Sequence, residues 1–303
     1  MSKISVIVPT CNRESLLQDS ILSLVNIVKK DVENQYEIVI VDSSDISVQL
    51  NNYDNFQIKI IATEIQSAAL QRNIGLKYIS ATTDFVAFLD DDVIIPEDYF
   101  KNLKNSLVKN NAIGISGIVL KKHEKDLSST NPVRKFIKKV LFLDSKNEGS
   151  LLLSGVNIPC TTANHGVVKS YWLIGCSLWD FKKIELLSFE EDFYGQSLGE
   201  DVIFSYKASK KGDLYVDTDV LIIHLESELG RQNFRSYTFQ WFNYRYRLRE
   251  YRDKKFSLYF ANGVCTGAKL IHIFSYLFFD RDKFKQGTLG YLDFLNKRVK
   301  HEN

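Results

Sequence analysis

Short apolar runs alternate with longer amphipathic stretches over the first hundred residues of the chain. The runs are rich in Val and Ile, which is typical of buried strands. The stretches between them repeat apolar residues every three or four positions, which is typical of helices packed on a core. The predicted strands are 4–8, 36–42, 58–63 and 85–90, and the predicted helices are 16–28, 66–80 and 97–109. This alternation indicates βαβ units and therefore an α/β fold on a mostly parallel sheet.

The pattern is less regular beyond residue 120. The stretch 121–150 mixes lysines with acidic residues and predicts a surface excursion. Residues 170–187 predict an apolar, aromatic strand followed by a short helix. A further helix is expected to begin after Gly199 and to stop at Gly212, before an extended segment over 213–227. These elements continue the α/β pattern to about residue 228.

A basic and aromatic stretch, 231–255, marks a change in composition. It holds eight Arg or Lys residues, two acidic residues and eight aromatic residues. Such a helix either packs against its own domain or turns its arginines toward anionic lipid or a lipid-diphosphate acceptor. The arginines in question are Arg245, Arg247, Arg249 and Arg252. Nucleic-acid binding is disfavoured because no RNA or DNA module surrounds the stretch. The remainder, 256–298, predicts two further helical segments.

The overall composition is that of an ordinary globular protein. Of 303 residues, 45% are hydrophobic and 25% are charged, and the net charge is +2, which argues against a nucleic-acid-type basic excess. Four cysteines without zinc spacing favour free thiols in a reducing compartment. The N-terminal apolar run is too short for a signal peptide, and no apolar run of about 18 residues predicts a spanning helix. The sequence therefore predicts a cytoplasmic protein.

Residues that could contact a ligand stand at the ends of three of the predicted strands. They are Pro9 and Thr10, then Asp42, then the triplet Asp90, Asp91 and Asp92. Because ligands bind at the carboxyl ends of parallel strands, these residues predict a site on one rim of the sheet. Carboxylates suit Mg²⁺ or Mn²⁺, and a cation would remove the repulsion within the triplet. A solvated, acidic strand end is the alternative when the triplet is considered alone.

Three other features are candidates for chemistry. Glu200 and Asp201 either complement a helix dipole or present a carboxylate base at a helix N-terminus. His224, at the end of an apolar run, is either a packed or surface histidine, or a metal ligand or phosphate donor. Arg72 is a solvated helix arginine unless a nucleotide lies near the strand rim.

The order of these motifs resembles the family 2 glycosyltransferases, an inverting group with the GT-A fold. The motifs are VIVPTCNR, VDSSD, QSAALQRNIGL, FLDDD, GCSLWDF, FEEDFYGQSLGED and IIHLES. The resemblance spans about residues 4–227, and its most specific parts are the D-x-D after an apolar strand and the later G-x-x-x-G-E-D. It implies a Rossmann-like, mixed and mostly parallel sheet flanked by helices, with a helical C-terminal extension.

The resemblance also implies a role for each candidate residue. The metal ion, Mn²⁺ or Mg²⁺, is expected on Asp92, with Asp90 and His224 as further ligands. The nucleotide sugar, UDP-linked, is expected to contact Pro9, Thr10, Asp42, Arg72, Asp90 and Asp91. Asp201 is the expected base, with Glu200 beside it. The implied reaction moves one sugar, with inversion, to a hydroxyl of a glycan or polyprenyl-diphosphate-linked acceptor in cell-surface polysaccharide assembly, at the cytoplasmic face of the inner membrane.

The chain is expected to divide near residue 228. Residues 1–228 are predicted to form the catalytic domain, with a nucleotide-binding half over about 1–118 and an acceptor half over about 119–228. Residues 229–303 are predicted to form the helical extension. A loop from 121–165 or 225–236 is expected to close over the substrates.

The sequence departs from the polymer-forming members of the family. Those members carry Q-x-x-R-W and membrane helices, whereas here Gln232 and Arg235 are followed by Ser236. This difference favours transfer of one sugar per acceptor. Two rival functions are a sugar-phosphate nucleotidyltransferase and a non-catalytic nucleotide-sugar-binding module. The first should show a glycine-rich N-terminal loop, which is not found, and the intact acids and His224 argue against the second.

Overall fold

The structure of the chain is a computed structural model. The structure describes residues 1–50, 56–121, 145–162, 165–195, 197–225, 233–253 and 255–302, with side chains to residue 297. Most of the predicted excursion over 121–150 lies outside these residues, as do Gln232 and much of both segments proposed as closing loops.

Nine strands lie within the described residues, and they form one sheet. They are β1 Ser2–Thr10, β2 Asn34–Asp42, β3 Ile58–Ala62, β4 Phe85–Phe88, β5 Val93–Ile94, β6 Gly114–Lys121, β7 Val167–Ser170, β8 Ser177–Asp180 and β9 Leu214–His224. The helices of the same ranges are α1 Glu14–Lys30, α2 Ala68–Tyr78, α3 Tyr99–Lys109, α4 Phe181–Ile184, α5 Glu200–Ala208, α6 Phe234–Tyr251, α7 Phe256–Phe279 and α8 Arg281–Glu302. The alternating elements predicted from the sequence are confirmed to within a few residues.

The sheet is mixed, with its longest ladders parallel. Its order is β3-β2-β1-β4-β8-β6-β9-β5, and β7 pairs with β9. Strands β1, β2, β3 and β4 run parallel, and so do β6 and β9. The remaining ladders, which involve β5, β7 and β8, are antiparallel and have at most four residue pairs each. The predicted mixed, mostly parallel sheet flanked by helices is confirmed.

Strand β6 was not predicted from the sequence. Its apolar pattern is interrupted by Gly114, Ser116 and Gly117, so the usual strand signal is weak. The structure gives a packing reason for the first glycine. A Cβ atom added to Gly114 would lie 2.4 Å from the ring of Trp179 on β8. The close approach of the two strands therefore requires glycine there, and the residue that weakens the sequence signal permits the packing.

Two apolar clusters cover the two faces of the sheet. Alternate residues of β1 divide between them, because successive side chains of a strand point to opposite faces. Ile4 and Val6 join α1 and α3 in the first cluster. Ile7 joins α2 and α5 in the second, which also includes Leu248 of α6. Each such buried side chain contributes about 1.5–3 kcal/mol to stability.

The C-terminal helices α6, α7 and α8 confirm the predicted helical extension. Phe242, Ile273 and Phe294 bring one residue of each helix into a third apolar cluster. The other face of α7 stays exposed and carries Phe256, Phe260, Ile271, Phe274 and Phe278. Within the described ranges, no helix combines the length and the apolar character that crossing a bilayer requires.

Candidate active site

The acidic triplet lies at the carboxyl ends of the central strands. Parallel pairing aligns β1 with both β2 and β4, so Thr10 and the residues after Phe88 reach the same rim. There the Thr10 hydroxyl donates a hydrogen bond of 2.7 Å to Asp91. Asp91 and Asp92 are both 5% exposed, far from a fully solvated strand end. A fully solvated strand end is therefore wrong for two of the three acids, whereas the binding roles of the triplet stay predictions.

Arg13 holds two of the three acids, and sequence reasoning missed it. One guanidinium nitrogen, Nη1, lies 3.0 Å from a carboxylate oxygen of Asp91 and 3.0 Å from one of Asp92. Burial raises the pKa of both carboxyls, and Arg13 opposes that shift. The signal was present, because Arg13 closes the VIVPTCNR segment only three residues after Thr10.

Arg72 is buried and links two acids that lie far apart in the sequence. Its Nη2 donates to Asp90 at 2.7 Å, and its Nη1 donates to Glu200. The side chain is 3% exposed, so the alternative of a solvated helix arginine is wrong. Burial raises the pKa of Glu200, and Arg72 opposes that shift. Arg72 thereby connects the rim at the end of β4 with the N-terminus of α5.

Asp90, Asp92 and His224 form a group that fits a divalent cation. One ligand atom from each lies within 4.8 Å of the others. The antiparallel pairing of β5 with β9 places Val93 opposite His224, so the histidine comes to lie 3.3 Å from Asp92. Two carboxylates and an imidazole suit Mn²⁺, and suit Mg²⁺ less well because of the nitrogen ligand.

Asp201 occupies the first turn of α5, which begins at Glu200. Its Oδ1 accepts a hydrogen bond of 2.8 Å from the backbone N–H of Val202, and the residue as a whole is half-buried. Burial raises the pKa of Asp201 to about 6, and Arg72 and the backbone donor limit the rise. The carboxylate is therefore largely ionised at neutral pH, as a base must be.

Gly199 ends the loop that presents these two acids. Its φ is +84°, a backbone conformation that side chains rarely adopt, and an added Cβ would lie 2.5 Å from the ring of Tyr244 on α6. Gln240, also on α6, accepts from the backbone N–H of Leu198 at 2.5 Å and donates to the carbonyl of Tyr194 at 2.6 Å. Helix α6 therefore fixes the loop before Asp201.

One cavity, with a volume of about 1190 Å³, joins these groups. Of the predicted site residues, it is lined by Pro9, Thr10, Arg72, Asp90, Asp91, Asp92, Glu200, Asp201 and His224. Helix α6 adds a wall that sequence reasoning did not assign to the site, formed by Tyr237, Trp241, Tyr244 and Arg245. The sequence left three roles open for this stretch: packing on its own domain, contact with anionic lipid, or contact with a lipid-diphosphate acceptor.

Asp42 is the predicted site residue that does not line the cavity. It is 2% exposed at the end of β2. Its two carboxylate oxygens each accept a backbone N–H at 2.9 Å, from Ser44 and from Val48. Gln71 lines the cavity nearby and donates to the carbonyls of Thr10 and Val41 at 2.8 and 2.7 Å. Asp42 thus shapes the loop after β2, and a direct nucleoside contact stays a prediction.

Comparison with known proteins gives a family match. The family model described as "Glycosyl transferase family 2" matches residues 5–163, just over half of the chain. The chain is 33% identical over 123 residues to the poly(ribitol-phosphate) beta-N-acetylglucosaminyltransferase TarP of Staphylococcus aureus. That match covers 39% of this chain and 36% of TarP, so it spans about a third of the relative.

Solved structures show the same fold at low sequence identity. Staphylococcus aureus TarS 1–349 in complex with UDP-GlcNAc aligns with a TM-score of 0.57 at 17% identity, over 96% of this chain and 80% of that one. The mannosyltransferase PcManGT of Pyrobaculum calidifontis, in complex with GDP-Man and Mn²⁺, aligns with a TM-score of 0.51 at 14% identity, over 95% and 84%. These likenesses confirm the predicted GT-A fold.

Proposed function

Because the chain belongs to glycosyl transferase family 2, we propose that it moves one sugar from a UDP-linked donor to an acceptor hydroxyl with inversion. One observation carries the proposal. A single cavity joins a group that fits a divalent cation to a carboxylate presented by a helix N-terminus. The proposed displacement at a sugar carbon uses both groups. The cation stabilises the departing diphosphate, and the carboxylate takes the proton of the attacking hydroxyl.

The donor is proposed to bind at the acidic rim. Asp90, Asp92 and His224 would hold Mn²⁺ or Mg²⁺ there, and a bound ion would stabilise the charge that develops on the departing diphosphate. Pro9 and Thr10 line the adjoining part of the cavity. Arg13 and Arg72 keep the carboxylates of the rim in place through the ion pairs described above.

Asp201 is proposed to take the proton from the attacking hydroxyl. Its position at the start of α5 favours the ionised form through the helix dipole, and burial raises its proton affinity above that of an ordinary aspartate. Glu200 forms an ion pair with Arg72, so its proposed role is to position that arginine. The acceptor oxygen then attacks the anomeric carbon on the face opposite the diphosphate, which inverts the configuration.

The acceptor is proposed to be a glycan or a lipid-linked glycan of the cell surface. The name of one relative describes transfer of N-acetylglucosamine to poly(ribitol-phosphate). That name supports a surface polymer as the class of acceptor here. We propose transfer of a single sugar for each acceptor.

We propose that the enzyme meets an anionic membrane surface through α7. The predicted lipid contact lay on 231–255, but Arg247 pairs with Asp192 and Arg252 donates to backbone carbonyls. In contrast, four exposed phenylalanines of α7, Phe256, Phe260, Phe274 and Phe278, lie on one helix face, and 254–279 contains no acidic residue. An apolar, aromatic face without negative charge suits the interface of an anionic bilayer.

The first experiment tests donor and metal together. Nucleotide sugars are screened by thermal shift with Mn²⁺, Mg²⁺ or EDTA, because a ligand of the folded state raises the melting temperature. We expect a UDP-sugar to stabilise the protein only when a divalent ion is present. Stabilisation by the same nucleotide sugar in EDTA would contradict the proposed metal group.

The second experiment tests the base. Asp201→Asn is expected to lower the rate of sugar transfer about 10²–10⁴-fold, while UDP binding with Mn²⁺ is retained. Glu185→Gln removes an exposed carboxylate from a position outside the cavity and is the matched control. Transfer by Asp201→Asn at the wild-type rate would refute the mechanism. The anomeric configuration of the product, read by NMR, tests inversion.

A further inference from the structure

The cavity contains one arginine that has no carboxylate partner among the described residues. Among the described residues, three arginines line it: Arg13, Arg72 and Arg245. Arg13 and Arg72 are each paired with two acids, as described above. Arg245 lies on α6 and is 7% exposed, and its Nε and Nη1 nitrogens make no hydrogen bond to described residues. A buried guanidinium with free donors is costly, so its retention in a substrate cavity calls for an explanation.

The groups around Arg245 offset part of that cost without neutralising the charge. Its guanidinium carbon lies 4.2 Å from the ring centroid of Trp241, a cation–π contact. Burial lowers the pKa of Arg245, and the thiol of Cys265 on α7 is its hydrogen-bond partner. Lys269 adds a second cation, and its amino group lies 4.8 Å from the ring centroid of Tyr237. Burial and the charge of Arg245 lower the pKa of Lys269.

Arg245 directly follows a residue of α6 that packs against the loop of the proposed base. Its neighbour Tyr244 packs against Gly199, directly before Glu200 and Asp201. The Tyr244 hydroxyl donates to the carbonyl of Gly155 at 2.7 Å, so this part of α6 is held firmly. The diphosphate of the donor is assigned instead to the cation-binding group of Asp90, Asp92 and His224. A ligand at Arg245 would therefore occupy the same cavity as Asp201, away from the group proposed to hold the diphosphate.

We propose that Arg245 binds a phosphate group of the acceptor, with Trp241 holding the guanidinium in place and Lys269 adding positive charge. The free Nε and Nη1 donors supply charge-assisted hydrogen bonds to the phosphate oxygens, and a low-dielectric wall strengthens them. The acceptor is thereby an anionic, phosphate-bearing glycan or polyol. This inference rests on the proposed glycosyltransferase function, because it defines the acceptor by its position in the same cavity as Asp201.

Binding of a phosphate probe tests the proposal. Glycerol 1-phosphate is titrated into the full chain, with and without saturating UDP and Mn²⁺, and glycerol serves as the uncharged comparison. We expect glycerol 1-phosphate to bind together with UDP, and Arg245→Gln to weaken this binding by about tenfold or more. Arg249→Gln removes the same charge one turn along α6, outside the cavity, and should leave the affinity unchanged.

The arms of the experiment separate the two sources of phosphate. If Arg245→Gln loses UDP but keeps glycerol 1-phosphate, the arginine contacts the donor and the proposal is wrong. Equal affinity of wild type and Arg245→Gln for glycerol 1-phosphate, or no binding to wild type, also overturns it. Failure of wild type to bind UDP counts against the glycosyltransferase function alone. The titration without UDP still measures the affinity of the phosphate subsite for glycerol 1-phosphate.

A second measurement covers the case in which Arg245→Gln does not fold. Trp241 is in contact with the guanidinium, so its fluorescence should change when glycerol 1-phosphate binds to the wild-type protein. The change should be absent with glycerol and absent in Trp241→Phe. A wild-type spectrum that glycerol 1-phosphate leaves unaltered overturns the proposal. Arg245→Lys keeps the charge and is expected to restore part of the affinity.

Discussion

At the scale of residues, the site is a set of acids whose charges are only partly balanced. Arg13 pairs with Asp91 and Asp92, and Arg72 pairs with Asp90 and Glu200. Asp201 lies at the start of α5 and is not part of these ion pairs. Burial raises the pKa of Asp201 from its ordinary value of 3.8 to about 6. The folded protein therefore binds a proton at Asp201 more tightly than the unfolded chain does. This difference couples the function of the residue to the stability of the fold.

Asp201→Asn is expected to stabilise the protein at pH 7.5, by about 1–3 kcal/mol in the free energy of unfolding. The sign follows from the raised pKa. Above pH 6 the ionised carboxylate is held in a site that disfavours its charge, and the full cost applies. The cost shrinks as pH falls through 6 toward 3.8.

Urea unfolding at pH 7.5 and at pH 4.5 measures this effect. The gain from Asp201→Asn should be clear at pH 7.5 and small at pH 4.5. Glu185→Gln, at an exposed position, should stay within about 0.5 kcal/mol of wild type at both values. A destabilised Asp201→Asn at pH 7.5 would show that the carboxylate is well solvated or well paired.

At the scale of elements, α6 and α7 have different roles in the C-terminal region. Helix α6 is mostly turned inward, where Gln240 fixes the loop before α5 and Trp241 and Arg245 line the cavity. Helix α7 buries Ile273 in the third cluster and exposes an aromatic face to the outside. Of the roles considered for 231–255 from the sequence, packing applies to α6, whereas the lipid contact is now proposed for α7, outside that stretch.

Substitutions on the exposed face of α7 test the proposed membrane contact. The double variant Phe274→Ser with Phe278→Ser removes two aromatic side chains that are 56% and 73% exposed. We expect wild type to sediment with vesicles of anionic phospholipid, and the variant to lose most of that binding, because apolar burial drives interfacial association.

Leu186→Ser is the matched control, since Leu186 is 84% exposed but lies far from α7 in the sequence, after α4. It should sediment as wild type does. Neutral vesicles should bind less than anionic ones, because 254–279 carries basic but no acidic residues. A wild-type protein that stays in the supernatant with anionic vesicles would show the proposed surface contact to be wrong.

At the scale of the whole molecule, the site spans the boundary predicted near residue 228. Its acids come from the sheet and from α5, whereas one wall comes from α6. Tyr244 and Leu248 of α6 also belong to the second apolar cluster, with α2, α5 and the central strands. The division into a catalytic domain over 1–228 and an extension over 229–303 stays a prediction, but the cavity uses both parts.

A chain truncated after residue 228 is therefore expected to lose stability and function together. The loss of Tyr244 and Leu248 from the core costs about 1.5–3 kcal/mol for each side chain, a large share of a typical total of about 5–15 kcal/mol. We expect no cooperative melting transition near that of the full chain and no stabilisation by UDP with Mn²⁺. Thermal melts of both chains provide the measurement. A truncated chain that melts as the full chain does and binds UDP would restore the boundary as a domain limit.

The sequence alone predicted the α/β pattern, the rim of polar strand ends and the acids of the site. These follow from local rules, because side-chain periodicity predicts strands and helices, and parallel strands carry their ligands at one edge. It missed β6, whose glycines weaken the strand signal, and it left Arg72 and the role of 231–255 open. Arg13 was visible in a quoted motif, but nothing local showed that it would reach Asp91 and Asp92.

Only the tertiary structure decided which of these residues meet. His224 reaches Asp92 because β5 pairs with β9, and Arg72 joins Asp90 to Glu200, which lie far apart along the chain. Because of the same packing, Arg245 lines the cavity and Asp42 does not. Periodicity reports which face of an element is buried, but a contact between distant elements depends on strand order and helix packing. Those depend on the whole chain, and so does the acceptor side of this site.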